Sequence, residues 1–141
     1  MAEAVPAWLI DWPACPLALA PSEVVEIVHE PEIYVLPFGP SWCSAVMYWR
    51  GRLLPLALPR GCPTDVKAVV VAFAPEAGKV EYAGIAGRDY PRRIEVAENA
   101  DCLPPQGLPL DVQRILAAFV HEDRTVVVPD LSAMFGRAAD V

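Results

Sequence analysis

Proline is the residue that most limits what this chain can fold into. Sixteen prolines are spread over 141 residues, and proline breaks a helix interior because it lacks the backbone N–H donor. Short segments remain between them, and several are rich in Val, Tyr and Trp, which fit the pleated surface of a strand. The sequence therefore predicts a mostly β protein of many short strands, with helix confined to short pieces near Ser22 and at Leu131–Phe135.

The stretch from residue 32 to residue 58 is the strongest local pattern. Two strand-like runs, Ala45–Trp49 and Arg52–Ala57, flank the dipeptide Arg50-Gly51. Glycine permits the tight turn between them, and arginine is a fixed cation with a planar fork of donors. The pattern predicts a strand-turn-strand unit that presents one arginine.

Other segments carry more local signals. Residues 66–74 include a continuous apolar run, typical of a strand buried on both faces. Residues 99–109 are rich in Pro and Gly and are expected to form a surface loop. Residues 110–119 fit either a helix or a strand, and we expect a short helix or turn at 110–113 followed by a strand. Asp130 is a suitable N-cap for the helix that follows it.

Charge and composition exclude several classes of protein. The net charge of −7 argues against nucleic-acid binding, which requires clustered Lys and Arg. The longest apolar runs are far too short to span a bilayer, so membrane insertion is not expected. The first ten residues lack the pattern of a signal peptide, which predicts a cytoplasmic protein. Residues 1–6 and 137–141 are expected to be flexible tails.

Cysteine and histidine give no pattern of a catalytic or metal site. The four cysteines, at positions 15, 43, 62 and 102, lack a C-x-x-C motif and a histidine at zinc spacing. We therefore expect no metal, cofactor or disulfide, and thiols that are reduced and mostly buried. His29 and His121 are expected to be loop residues. A small β-barrel enzyme that uses Cys43 with a distant histidine is the alternative from another class.

Three short motifs follow one another in the first half of the chain. They are Val-Val-Glu-Ile at 24–27, Leu-Pro at 36–37 and Trp-Arg-Gly at 49–51, and Pro55 follows. In this order they resemble the motifs of the chemotaxis coupling protein (CheW) family. A fainter resemblance continues through residues 67–74, 80–96 and 115–135, so it covers nearly the whole chain.

The resemblance implies a fold and a function. The fold would be a single CheW-like domain over residues 1–141, made of two small five-stranded β-barrels of the SH3-like type with a hydrophobic seam between them. The function would be that of a non-enzymatic adaptor in a chemotaxis or twitching-motility array. Its partners would be a chemosensory histidine kinase, a chemoreceptor and other CheW-like domains.

The resemblance also indicates candidate protein-binding residues, which are Glu26, Ala45, Trp49, Arg50 and Gly51. Glu26 and Arg50 are expected to share one surface, where they can pair. Two positions depart from the family pattern, because Ala45 replaces the usual Gly and Leu58 the usual Asp. A further interpretation is therefore a structural component of an array that no longer couples receptors.

Overall fold

The computed structural model describes residues 4–97 and 100–136. Within these ranges the chain forms twelve strands and one short α-helix. The strands are β1 Val5–Asp11, β2 Pro16–Leu19, β3 Val24–Val28, β4 Glu32–Val35, β5 Ala45–Trp49, β6 Arg52–Ala57, β7 Lys67–Glu76, β8 Lys79–Gly87, β9 Arg92–Val96, β10 Asp101–Cys102, β11 Ile115–His121 and β12 Arg124–Pro129. The helix, α1, is Leu131–Phe135, and single 3₁₀ turns lie at Pro21–Glu23 and Val112–Arg114. The predicted mostly β fold with short helices is confirmed.

The strands form two sheets of six. One has the order β10-β11-β12-β2-β1-β9, and the other has the order β3-β7-β8-β6-β5-β4. The second sheet uses one continuous segment, whereas the first combines strands from before and after that segment. The two units are therefore intertwined along the chain.

Connection lengths require each sheet to curl into a barrel. Strands β3 and β4 lie at opposite edges of their sheet, and six flat strands would place these edges about 24 Å apart. Residues 29–31 alone connect them, and four Cα steps reach at most about 14 Å. Strands β9 and β10, the edges of the other sheet, are likewise joined through residues 97–100, a reach of at most about 18 Å. We call these units the first barrel, which contains β1, and the second barrel, which contains β3–β8.

The predicted pair of barrels is confirmed, but each sheet has six strands instead of five. Sequence inspection did not identify two of these strands, β4 and β10, and β10 lies in the expected loop 99–109. Its two residues pair with Phe119 and Ala118 of β11. A strand of two residues forms because the neighbouring strand β11 pairs with it, and it is too short to show an alternating hydrophobic pattern in the sequence.

Buried apolar side chains form three clusters. One lies within the first barrel and includes Leu9, Ile94 and Phe119. Another lies within the second barrel and includes Met47 and Leu56. The third joins the two barrels and α1; its members include Ile10, Trp12, Leu17, Trp42, Val69, Val71, Ile85, Val127 and Phe135. We call this third cluster the seam.

Strand β7 shows why the seam exists. Ala68 and Val70 belong to the core of the second barrel, whereas Val69 and Val71 belong to the seam. All four are fully buried, because alternate side chains of a strand point to opposite faces. The prediction of a strand buried on both faces is confirmed.

One buried hydrogen bond crosses the seam. The indole Nε1 of Trp12, just after β1, donates to the carbonyl oxygen of Ala57 at 2.7 Å. Trp12 is 1% exposed, so neither group can exchange this partner for water. The bond therefore fixes the end of β1 in the first barrel against β6 in the second.

Expectations for the end of the chain agree with the structure. A 3₁₀ turn at Val112–Arg114 precedes β11, as the expected turn and strand require. The Asp130 side chain accepts a hydrogen bond from the backbone N–H of Ala133 at 3.1 Å, which makes it the N-cap of α1. The expected tail at 137–141 lies outside the described residues.

The expected N-terminal tail is too long by two residues. Val5 and Pro6 belong to β1 and pair with Val96 and Glu95 of β9. The ladder to a distant strand holds them in place, and this partner is not visible in the local sequence. No helix in the described part of the chain is long and apolar enough to cross a membrane.

Two of the three buried tryptophans, Trp12 and Trp49, test the hydrogen bond across the seam. Trp12→Phe and Trp49→Phe remove similar volume, but only Trp12 donates a buried hydrogen bond, since the Trp49 Nε1 has no partner among the described residues. We expect Trp12→Phe to lower the free energy of unfolding by about 1–3 kcal/mol more than Trp49→Phe, because it leaves the Ala57 carbonyl unpaired. Urea unfolding of both variants measures the difference, and equal losses would contradict this role.

Candidate protein-binding site

The turn between β5 and β6 positions the central arginine. Trp49 pairs with Arg52, so Arg50 and Gly51 form a two-residue loop. Both residues have positive φ, 48° and 77° respectively, as in a type I′ hairpin turn. Gly51 adopts this conformation without strain, and the turn directs Arg50 to one end of the second barrel.

Glu26 on β3 lies beside this turn. Arg50 Nη2 donates to Glu26 Oε1 at 2.6 Å, although the two residues are 24 positions apart in the sequence. The side chains are 66% and 37% exposed. An ion pair this exposed contributes only about 0–1 kcal/mol to stability. The pair therefore defines the charge and shape of the surface more than it stabilises the fold.

Two aromatic side chains pack against each other at the same end of the barrel, and each carries an arginine on its ring. The Arg50 guanidinium carbon lies 4.7 Å from the centre of the Trp49 ring, and that ring lies 5.4 Å from the ring of Tyr82. The guanidinium carbon of Arg52 lies 5.1 Å from the Tyr82 ring. We call these four side chains the arginine–aromatic stack. Trp49 is 7% exposed, so it supports the surface from beneath.

The structure places Ala45 apart from the other candidates. It is 1% exposed and belongs to the core of the second barrel. Its side chain therefore lies away from the surface that Glu26, Arg50 and Gly51 share. Leu58, the other departure from the family pattern, is also 1% exposed.

Sequence inspection missed Tyr82 and Arg52 as members of this site. Tyr82 is on β8, which pairs with β6 in parallel through Leu56 and Gly84. Parallel pairing joins segments that are distant in sequence. The one available signal was Gly84, whose missing side chain lets Met47 and Leu56 pack close to the β8 backbone.

Cys43 does not have the properties of a nucleophile. Its Sγ donates a hydrogen bond to the carbonyl oxygen of Leu56 at 3.3 Å. Burial raises the pKa of the Cys43 thiol to about 11, so it is protonated near neutral pH. All four thiols are free but half-buried, which corrects the expectation that they are mostly buried. Cys15, Cys43 and Cys62 pack at the margin of a cluster, and Cys102 lies on the edge strand β10.

The two histidines interact with other groups. His29 stacks on Tyr90, and its Nδ1 is hydrogen-bonded to the Tyr90 hydroxyl. His121 Nε2 lies 3.6 Å from Glu122 Oε1. Among the described residues no group of three His, Cys, Asp or Glu side chains is arranged to hold a metal ion.

A cleft with a volume of about 370 Å³ lies between the barrels. Its floor is largely apolar and includes Phe73 and Leu131. Two carboxylates border it, but each already binds backbone: Glu23 accepts from the N–H of Ala20 at 2.8 Å, and Asp130 caps α1. These carboxylates stabilise turns, so the cleft offers an apolar contact surface.

Comparisons with known proteins identify the fold. No protein-family model and no curated protein matches the sequence. The chain is similar to the solved structure of the scaffolding protein TtCheW from Thermoanaerobacter tengcongensis, with a TM-score of 0.64 and 19% identity. The match covers 93% of this chain and 86% of that chain. The chain therefore has the CheW fold, as the sequence motifs predicted.

Thiol labelling tests the state of Cys43. Because only the thiolate reacts and the pKa is about 11, we expect slow alkylation at pH 7 and a rate that rises about tenfold per pH unit up to pH 9. Mass spectrometry of the Cys43 peptide measures this rate, with unfolded protein as the control. Fast labelling that does not depend on pH would instead indicate a thiolate and favour the enzyme interpretation.

Proposed function

We propose that this protein is a non-enzymatic adaptor of a chemosensory array that couples receptors to a histidine kinase. The observation that carries the proposal is the pairing of Glu26 with the Arg50-Gly51 turn at 2.6 Å, on a chain with the CheW fold. These residues belong to two of the sequence motifs that resemble the family, Val-Val-Glu-Ile at 24–27 and Trp-Arg-Gly at 49–51. The solved structure of the same fold is described as a scaffolding protein.

The geometry of the turn supports a binding role. The Arg50 guanidinium is exposed, yet the ring of Trp49 and the carboxylate of Glu26 restrict its orientation. A side chain that is already ordered loses less conformational entropy when a partner binds. Arginine is also enriched among the residues that dominate binding energy at interfaces. The proposed binding surface consists of Glu26, Arg50 and Gly51, supported by Trp49 and without Ala45.

Ala45 and Leu58, the two positions that depart from the family pattern, are buried. Their burial favours an adaptor that couples receptors over a structural component that no longer does so. Ala45 and Leu58 are both in the interior, so neither alters the surface that a partner contacts. An apolar Leu58 is also compatible with its buried site, where a carboxylate would need a partner.

The proposed role implies particular partners and a location. The partners are a chemosensory histidine kinase, a chemoreceptor and other CheW-like domains, in a chemotaxis or twitching-motility pathway. These arrays signal from the cytoplasm, and the four free cysteines fit a reducing compartment. The raised pKa of Cys43, about 11, argues against this thiol as a nucleophile.

The variant Arg50→Ala tests the proposal. We expect it to weaken binding to the kinase or receptor by at least about fivefold, because an interface anchor is lost. The melting temperature should change little, since the exposed pair with Glu26 adds little stability. Calorimetry measures binding, and a thermal melt of the same sample measures stability.

Arg124→Ala is a matched control. Arg124 pairs with Asp11 in the first barrel, and the exposures of that pair, 60% and 40%, resemble those of Arg50 and Glu26. The control should bind as the wild type does. Destabilisation by Arg50→Ala with unchanged affinity of the folded protein would refute the interface role.

A further inference from the structure

Arg52 and Trp49 lie together at the turn end of the second barrel. They are paired directly across β6 and β5, and directly paired side chains lie on one face of the sheet. That face is the inner one, because Trp49 belongs to the core of the second barrel and so does Leu54, two residues after Arg52. Arg52 is nevertheless exposed. Its guanidinium therefore lies at the mouth of the barrel, where the inner face meets water.

Arg52 carries a charge that no acidic group of the described chain neutralises. Among the described residues no carboxylate lies within 4 Å of its guanidinium, whereas Arg50 is paired with Glu26 at 2.6 Å. The guanidinium carbon of Arg52 lies 5.1 Å from the centre of the Tyr82 ring, and the quadrupole of such a ring attracts a cation. Arg52 is thus oriented before a ligand arrives, which lowers the entropy lost on binding.

The indole N–H of Trp49 is a second unused donor at this mouth. Trp49 is 7% exposed, and its Nε1 has no acceptor among the described residues. The Nε1 of Trp12, in contrast, donates to the Ala57 carbonyl. A buried donor without an acceptor destabilises a protein, so an oxygen atom brought by a ligand would restore a hydrogen bond. The Arg50 guanidinium, which is part of the proposed binding surface, lies 4.7 Å from the centre of the Trp49 ring. A ligand that contacts Arg50 is therefore close to the indole.

A carboxylate matches these two donors. It accepts charge-assisted hydrogen bonds from the planar fork of a guanidinium, and its two oxygens can accept from a further donor. The Cβ atoms of directly paired residues are about 4.5–5.5 Å apart, so one acidic side chain can reach both Arg52 and Trp49. Glu26 offsets one of the two arginine charges of the stack. The positive charge that remains suits a singly charged carboxylate better than a doubly charged phosphate.

We propose that Arg52 and Trp49 form a binding site for an acidic side chain of a protein partner. The Arg52 guanidinium binds the carboxylate, and Trp49 Nε1 donates to one of its oxygens. The partner is the one that contacts Arg50, because Arg50 and Arg52 flank Gly51 in one hairpin and a protein that covers one also covers the other. The inference rests on the proposed adaptor function and specifies the chemistry of the contact.

An NMR titration of the isotope-labelled protein with a short peptide tests the site directly. The probe is the peptide Gly-Glu-Glu-Gly with blocked ends, and the readout is the indole N–H signal of Trp49, which Trp49→Phe assigns. We expect a saturable shift of this signal to lower field, because a hydrogen bond forms, while the Trp12 signal stays in place. The blocked peptide Gly-Gln-Gln-Gly should cause no shift. Inorganic phosphate should bind more weakly than the acidic peptide.

Variants at the site extend the test to the histidine kinase and the receptor. Arg52→Ala removes the cation, so we expect it to abolish the peptide-induced shift and to weaken partner binding about tenfold, with a weaker dependence on salt. Arg52→Lys keeps the charge without the planar fork and should lie between Ala and wild type. Trp49→Phe keeps an aromatic ring without the donor and should weaken partner binding about fivefold.

Arg93→Ala is the matched control for these variants. Arg93 lies over the Trp8 ring at 5.2 Å in the first barrel, so it shares the stacking of a cation on an aromatic ring but is outside the proposed site. It should show the peptide-induced shift and the partner affinity of the wild type. Thermal melts of all variants show whether a change in affinity reflects lost folding.

Each outcome has one meaning. A Trp49 signal that does not respond to the acidic peptide, or responds equally to the glutamine peptide, would overturn this inference and leave the adaptor function standing. Tighter binding of phosphate than of the peptide would overturn the assignment to a carboxylate.

The partner assays separate the two proposals. Weaker kinase or receptor binding by Arg50→Ala with no effect of Arg52→Ala would overturn this inference alone. An equal effect of Arg93→Ala and Arg52→Ala would also overturn it, and so would self-association of the wild type that Arg52→Ala abolishes, because the occupant would then be a second copy. Absence of wild-type binding to both kinase and receptor would overturn this inference together with the adaptor function.

Discussion

Packing across the seam is the constraint on which the rest of this structure depends. The chain begins the first barrel, leaves it to build the second and returns to complete the first. Neither barrel covers the apolar residues on its own outer face, such as Val69 and Val71 in one and Leu17 and Val127 in the other. These residues leave water only when the barrels meet. We therefore propose that the two barrels behave as one unit.

The seam also determines which surface remains for partners. It covers the outer face of β7 and β8 and the end of β6 at Ala57. The start of β6 and the turn at Arg50 and Gly51 project beyond it, and their side chains are exposed. A densely packed interior holds this turn in a fixed position, because cores are as dense as organic crystals and have low compressibility. Such a frame suits a protein whose work is to hold partners in a fixed arrangement.

Much of the fold could be predicted because its signals are local. Prolines limit the strand lengths, the run at 68–71 indicates burial on both faces, and Asp130 marks the start of a helix. The Arg50-Gly51 turn was also visible, since a glycine between two strand-like runs predicts a hairpin. Glu26 and Arg50 were expected on one surface only because of the family motifs. The distance between them depends on the curl of the sheet.

What the sequence did not reveal depends on contacts between distant segments. The stack of Trp49 on Tyr82 requires the parallel pairing of β6 with β8, which the local pattern of neither strand specifies. The strand β10 and the first residues of β1 exist because β11 and β9 offer them hydrogen bonds. The place of Ala45 in the core, away from the binding surface, likewise follows from the register of β5 against β4 and β6.

Native-state hydrogen exchange is the most direct test of the claim that the seam makes one unit of the two barrels. The slowest amides of β7 in the second barrel and those of β1 and β12 in the first should exchange with the same free energy, equal to that of global unfolding. This is expected because opening either barrel exposes the seam of both. Exchange of the β1 and β12 amides through an opening that leaves β7 protected would contradict the account.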